Sequence, residues 1–254
     1  HPVITSILPS SGQLGTLVSI GGSNLLCGAS SLSSVTLAGV EVEDIVSAND
    51  TLVVVSSAAG AVSVGPVVIT ADTQAQVMST TNSTMWEFLE GSVISTVSPS
   101  DGQFGSYVTI SGARFFGGGT EVVRVTLADV AAEIVSQNDS VVVVRAGHHV
   151  TTSMAVGDVV VWSDSSARTV STNGFTYNAR GEIVSVSPSS GQLNTAVTLS
   201  GTQLLGGGSD PVHVMFGGVR THVLSASASE ITVVYPGTSG PFGAQDIEIL
   251  SDTV

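Results

Sequence analysis

Apolar and polar residues alternate along this chain in short runs. The stretches VITSIL, LVSIGG, SVTLAGV, TLVVV and PVVITA all fall within its first third. Val, Ile or Leu recurs at every second position, the period of a strand with one buried face. Between the runs lie Gly, Pro and Asn-Asp, which close turns. No stretch keeps the 3.6-residue period of an amphipathic helix, and no apolar run nears the roughly 18 residues that cross a membrane. The pattern predicts short strands throughout, about seven in every ninety residues.

The pattern also repeats. ILPSSGQLGT begins at residue 7, VSPSDGQFGS at 97 and VSPSSGQLNT at 186, so that Pro9, Pro99 and Pro188 fall in register. Gly12, Gly102 and Gly191 follow, then Gly22, Gly112 and Gly201, and then the blocks NLLCGAS, RFFGGGT and QLLGGGS. The prolines stand 90 and 89 residues apart. That is too long for a solenoid repeat and matches one whole β-sandwich. Pro-x-x-Gly reads as the turn joining the first two strands of each copy, which is a structural role. The triplets Gly117–Gly119 and Gly206–Gly208 lack the following helix and the lysine of a phosphate cradle, so they read as turns between strands.

Residues 4–22, 94–112 and 183–201 share the pattern I-x-x-[IV]-x-P-x-x-G-x-x-[GN]-x-x-[VL]-[ST]-[IL]-x-G, followed by an [LF]-[LF] pair. This resembles the opening of an IPT/TIG domain, an immunoglobulin-like sandwich. The third copy departs at Asn194, where Gly15 and Gly105 stand in the others; asparagine tolerates a left-handed backbone. The resemblance implies an all-β chain of three tandem immunoglobulin-like (IPT/TIG) β-sandwiches, at 1–91, 92–180 and 181–254. Very short connections predict an extended rod. Asp252 aligns with Asp72 and Asp164, and the third copy has no counterpart of NSTMWEFL or NGFTYN. The third sandwich is therefore expected to lack its last strand and to present an open edge. Ile247, Ile249 and Leu250 beside that edge are candidate assembly residues. Either the chain is a piece of a longer array, or a neighbouring subunit donates the strand.

Charge narrows the partners. The net charge is −14, and the six basic residues are all arginine. Such a chain repels phosphate backbones and anionic lipid surfaces, so neither nucleic acid nor membrane insertion is expected. Cys27 stands alone, which rules out an intrachain disulfide framework. It aligns with Gly117 and Gly206, hence an exposed turn. No G-x-S-x-G, H-E-x-x-H, P-loop or C-x-x-C occurs, so neither catalysis nor a cofactor is expected. His148 and His149 are neighbours, which seldom chelate one ion, whereas His213 and His222 straddle a hairpin. Glu41, Glu43 and Asp44 form the densest acidic group, without the D-x-D-x-D-G spacing of a calcium loop; they read as a solvated face. Trp86 and Trp162 read as core aromatics.

Three N-x-[ST] sequons make Asn49, Asn82 and Asn138 candidates for covalent glycans. Serine and threonine are so abundant that three sequons are no excess over chance, yet Asn49 and Asn138 fall at the same turn of two copies. The expectation is a non-enzymatic extracellular structural glycoprotein, a subunit or segment of a surface fibre that associates with itself head to tail. A cell-surface adhesin or receptor ectodomain is the second reading. An accessory module of a carbohydrate-active enzyme is the third.

Overall fold

The computed structural model describes residues 1–150, 153–208, 211–235, 237 and 243–251. Among them the regular structure is strand, apart from one 3-10 turn at Asn82–Thr84. Branched side chains on alternating positions explain this: they pack well on a pleated face and poorly on a helix.

The first unit is a sandwich of two sheets. One runs in the order Val3–Leu8, Leu17–Ser23, Leu52–Ser56, Asp44–Ala48. The other runs Ser11–Gly12, Met85–Phe88, Ser63–Ala71, Leu32–Leu37, Val40–Glu41, with Gln76–Met78 added beside Ser63–Ala71. Val18, Ile20, Val53 and Val55 face Val35, Leu37, Val67 and Ile69 across the core, and all are fully buried. Each such side chain contributes about 1.5–3 kcal/mol relative to its exposed state. Trp86 and Phe88 meet edge to face at 5.7 Å and close one end of that core. The strand Asp44–Ala48 is absent from the sequence reading, because only Ile45 among its residues packs on the core.

The second unit repeats this build, with one difference. Val130–Gln137 is unbroken and pairs with both Val122–Leu127 and Val141–Arg145, so the two sheets join in one eight-stranded path. In the first unit the same stretch is divided into Val40–Glu41 and Asp44–Ala48, one in each sheet.

The third unit has a four-stranded sheet, Glu182–Ser187, Ala196–Thr202, Glu230–Val234 and His222–Ala226. Facing it is a three-stranded one, Val219–Arg220, Pro211–Phe216 and Ile247–Ser251. The counterpart of Ile247–Ser251 in the second unit is Ala155–Ser163, whose far edge pairs with Arg168–Tyr177. Among the described residues nothing pairs with that edge in the third unit, and Asp252 lies outside them. Ile247 and Ile249 are accordingly only half-buried, whereas Val159 and Val161 are 0% and 1% exposed.

Candidate functional site

The surfaces where successive units meet are built from the repeated string itself. After each Pro-x-x-Gly corner comes a glutamine. Gln13 is only 4% exposed. Its Nε2 donates to the Glu90 carbonyl (2.6 Å), and its Oε1 accepts from the Ser92 backbone N–H (3.0 Å) and the Ser92 hydroxyl. One side chain thus pins the connection 89–92 to the first unit's corner. The Gly-rich turn of the second unit then seats on it. A Cβ at Gly117 would lie 3.4 Å from Gln13 Oε1 and 2.4 Å from the Ala167 side chain, so only glycine fits that close approach.

A second contact comes from the turn between Ala155–Ser163 and Arg168–Tyr177. The Leu17 N–H donates to the Ser165 carbonyl (3.2 Å), and the Arg168 N–H donates to the Leu14 carbonyl (2.9 Å). The Arg168 guanidinium then grips Glu43 with both nitrogens, Nη1 at 2.9 Å from Oε2 and Nη2 on Oε1. Hydrogen bonding to Arg168 holds the Glu43 carboxyl below its ordinary 4.5, against the opposing push of burial. Arg114 adds a pair with Glu90 at 3.3 Å. Glu43, read as part of a solvated acidic face, therefore joins two units.

The second joint reuses the same parts. Gln103 Nε2 donates to the Ala179 carbonyl (2.6 Å), and a Cβ at Gly206 would lie 3.0 Å from Gln103 Oε1. Gly117 and Gly206 are both buried where the preceding unit covers them. Their turns are ordered. Gly117 and Gly206 donate to the carbonyls of Arg114 and Gln203, and Asp164 accepts from the Thr120 N–H (2.9 Å) and hydroxyl (2.6 Å). Those bonds, the Thr120 hydroxyl first, keep the Asp164 carboxyl below its ordinary value.

The same two parts recur in the first and third units. In the first unit Cys27 and Gly28 hold the turn, with φ of 54° and 75° against 55° and 90° at Gly117 and Gly118. Cys27 is a free thiol, half-exposed. In the third unit Gln192 is exposed, yet its N–H keeps the bond to Thr195 Oγ1 (2.9 Å) that Gln13 makes to Thr16 (3.0 Å). Asn194 takes the left-handed conformation, φ 66°.

The sequons are exposed. Asn49 and Asn138 occupy equivalent hairpin turns, and Asn82 opens the 3-10 turn. Asn49 Oδ1 accepts from the Thr51 N–H, the Thr51 hydroxyl and the Leu52 N–H, all at 2.9 Å. Asn138 does the same with Ser140 and Val141. Ile247 and Ile249 pack on the third unit's own core, while Leu250 lies across from His213. His213 and His222 sit in different sheets. Trp86 is fully buried, and Trp162 is half-buried beneath the Arg124 guanidinium at 4.4 Å.

The family model of the IPT/TIG domain matches residues 2–85, 92–177 and 182–249. No curated protein sequence gives a significant match. Among solved structures the chain is similar to the Plexin A4 full extracellular region, with 23% identity and a TM-score of 0.46 over 100% of this chain and 23% of that one. It is also similar to SGBP-B from a complex xyloglucan utilization locus in Bacteroides uniformis, with 14% identity and a TM-score of 0.28 over 100% of this chain and 94% of that one. The chain spans 23% and 32% of the two Plexin A4 chains it resembles. At these TM-scores neither likeness carries an argument about function.

Proposed function

The chain belongs to the IPT/TIG family, and we propose that it is a non-enzymatic structural segment of an extracellular fibre, a stiff array whose units add end to end. The observation that carries this reading is the joint: Gln13 and Gln103 each bind the connection behind them and receive the next unit's Gly-rich turn. Buried polar contacts with defined geometry restrict rotation between units in a way that a bare linker does not. The Arg168–Glu43 pair supports the same reading because it joins two units, whereas Asp72 and Asp164 fasten turns within their own units to the Ser30, Ser31 and Thr120 hydroxyls. The exposed asparagines 49, 82 and 138 are the proposed glycan sites.

The turn 24–30 and the Gln192 corner repeat the two halves of the joint, so a further unit of this kind, in the same chain or in another copy, would seat on either of them in the same way. The corner-and-turn route is preferred to strand donation at Ile247–Ser251, because both joints between the described units are built that way. Sedimentation of the purified chain, alongside electron microscopy of the native material, tests this. The expected outcome is concentration-dependent head-to-tail association that Gln192→Arg removes. Gln13→Ala should leave the units folded but broaden the angle between the first two. A chain that stays monomeric at high concentration, in native material without filaments, would rule the reading out.

A further inference from the structure

Beside the second joint, the corner of the second unit carries side chains that the first unit lacks. A cleft of about 200 Å³ is bordered by Phe104, His148, His149, Tyr177, Asn178 and Arg180. The first unit has Leu14, Phe88, Leu89 and Gly91 where Phe104, Tyr177, Asn178 and Arg180 stand. Phe104 is 57% exposed, and His148 meets it edge-on at 5.8 Å. The Arg145 guanidinium lies 5.9 Å from the Phe104 ring. His149 stacks on Tyr177 at 4.9 Å. The Tyr177 hydroxyl is buried beside the Gly147 backbone but makes no hydrogen bond of normal geometry. Among the described residues the two ion pairs are Arg114–Glu90 and Arg168–Glu43, so neither Arg145 nor Arg180 has an acidic partner.

We propose that this cleft binds a carboxylate-bearing sugar ring, a uronate unit of an acidic glycan. An exposed aromatic face suits the C–H face of a sugar. The exposed Arg180 guanidinium, which makes no ion pair among the described residues of a chain of net charge −14, selects an anion, and arginine matches a carboxylate with two parallel hydrogen bonds. The imidazoles and the Asn178 amide suit a ring rich in hydroxyls rather than a wholly apolar one. The Asp101 carboxylate accepts from Asn178 Nδ2 at 2.7 Å. The volume lies below the roughly 300–1,000 Å³ of drug-sized sites, which fits one ring at a time.

The cleft shares Gln103 and the connection 178–181 with the second joint, so binding is read on the monomeric chain and separately from end-to-end growth, which Phe104→Ala leaves intact. Calorimetric titration of the whole chain with oligomers of galacturonate, of alginate and of hyaluronan, against neutral cello-oligosaccharides, tests it. At least one uronate oligomer should bind about tenfold tighter than the neutral one. Phe104→Ala and Arg180→Ala should each weaken it about tenfold, with the melting temperature unchanged because both side chains are exposed. No binding by any uronate, equal binding by the neutral oligomer, or wild-type binding by both exposed-residue variants would overturn the proposal.

Discussion

At the scale of single residues, the sequons have a structural reason to exist apart from any glycan. Asn49 and Asn138 each supply one oxygen that gathers two backbone N–H groups and a hydroxyl. In the third unit Ser227 fills the same place, its hydroxyl accepting from the Ser229 N–H (3.3 Å) and the Glu230 N–H (3.0 Å). What the turn needs is an acceptor, not an amide. Asn49→Asp should therefore keep the melting temperature close to that of the unglycosylated wild type, while Asn49→Ala should cost about 1 kcal/mol. Calorimetry on chains made without glycans checks this; equal losses in both variants would show that the oxygen is not what matters. Mass spectrometry of material from a secreting host decides occupancy separately.

Between elements, the contact that sequence reading did not reach is the grip of Arg168 on Glu43. Both side chains are about a third exposed, so the pair is worth only about 0.2–1 kcal/mol. Its position matters more than its strength, because it ties a hairpin turn of one unit to another unit. Glu43 has a depressed pKa in the folded state, so the contribution is fully present above the unfolded value near 4.5 and is lost as pH falls below it toward the folded value. Scattering or an inter-unit distance measurement should show the first joint loosening on acidification through that window. Arg168→Gln should show the looser joint already at neutral pH, with little further change. A variant that still responds to acid like wild type would place the titrating group elsewhere, for instance at Asp72 or Asp164.

Across the whole molecule, the three cores are unequal. Among the described residues the first and second cores contain 15 and 14 buried apolar side chains, and the third contains 8. Fewer buried contacts and an edge that no described strand covers place the third unit at the low end of local stability. Hydrogen exchange should release the amides of Leu199, Ile231 and Val233 before those of Ile20 and Val53 or Ile110 and Val142. Equal protection in all three would mean that the open edge has no cost to stability.

Strands, copies and family were legible in the chain because alternation is local. A buried face needs an apolar side chain at every second position, and Val18 and Ile20 or Val142 and Val144 state that in the order of the residues alone. The repeated Gly-Gln-x-[GN] string was equally visible. It was read as a turn, which it is, but its glutamine also pins the connection to the next unit. Equal glutamines at 13, 103 and 192 were the signal available for that second role. Tertiary structure alone decided which surfaces meet. Glu43 and Arg168 are far apart in sequence, and Phe104 comes beside His148, Tyr177 and Arg180 only after three separate segments fold into one corner. Such contacts join polar side chains one pair at a time, so they leave no period in the sequence, whereas burial of a sheet face leaves one along every strand.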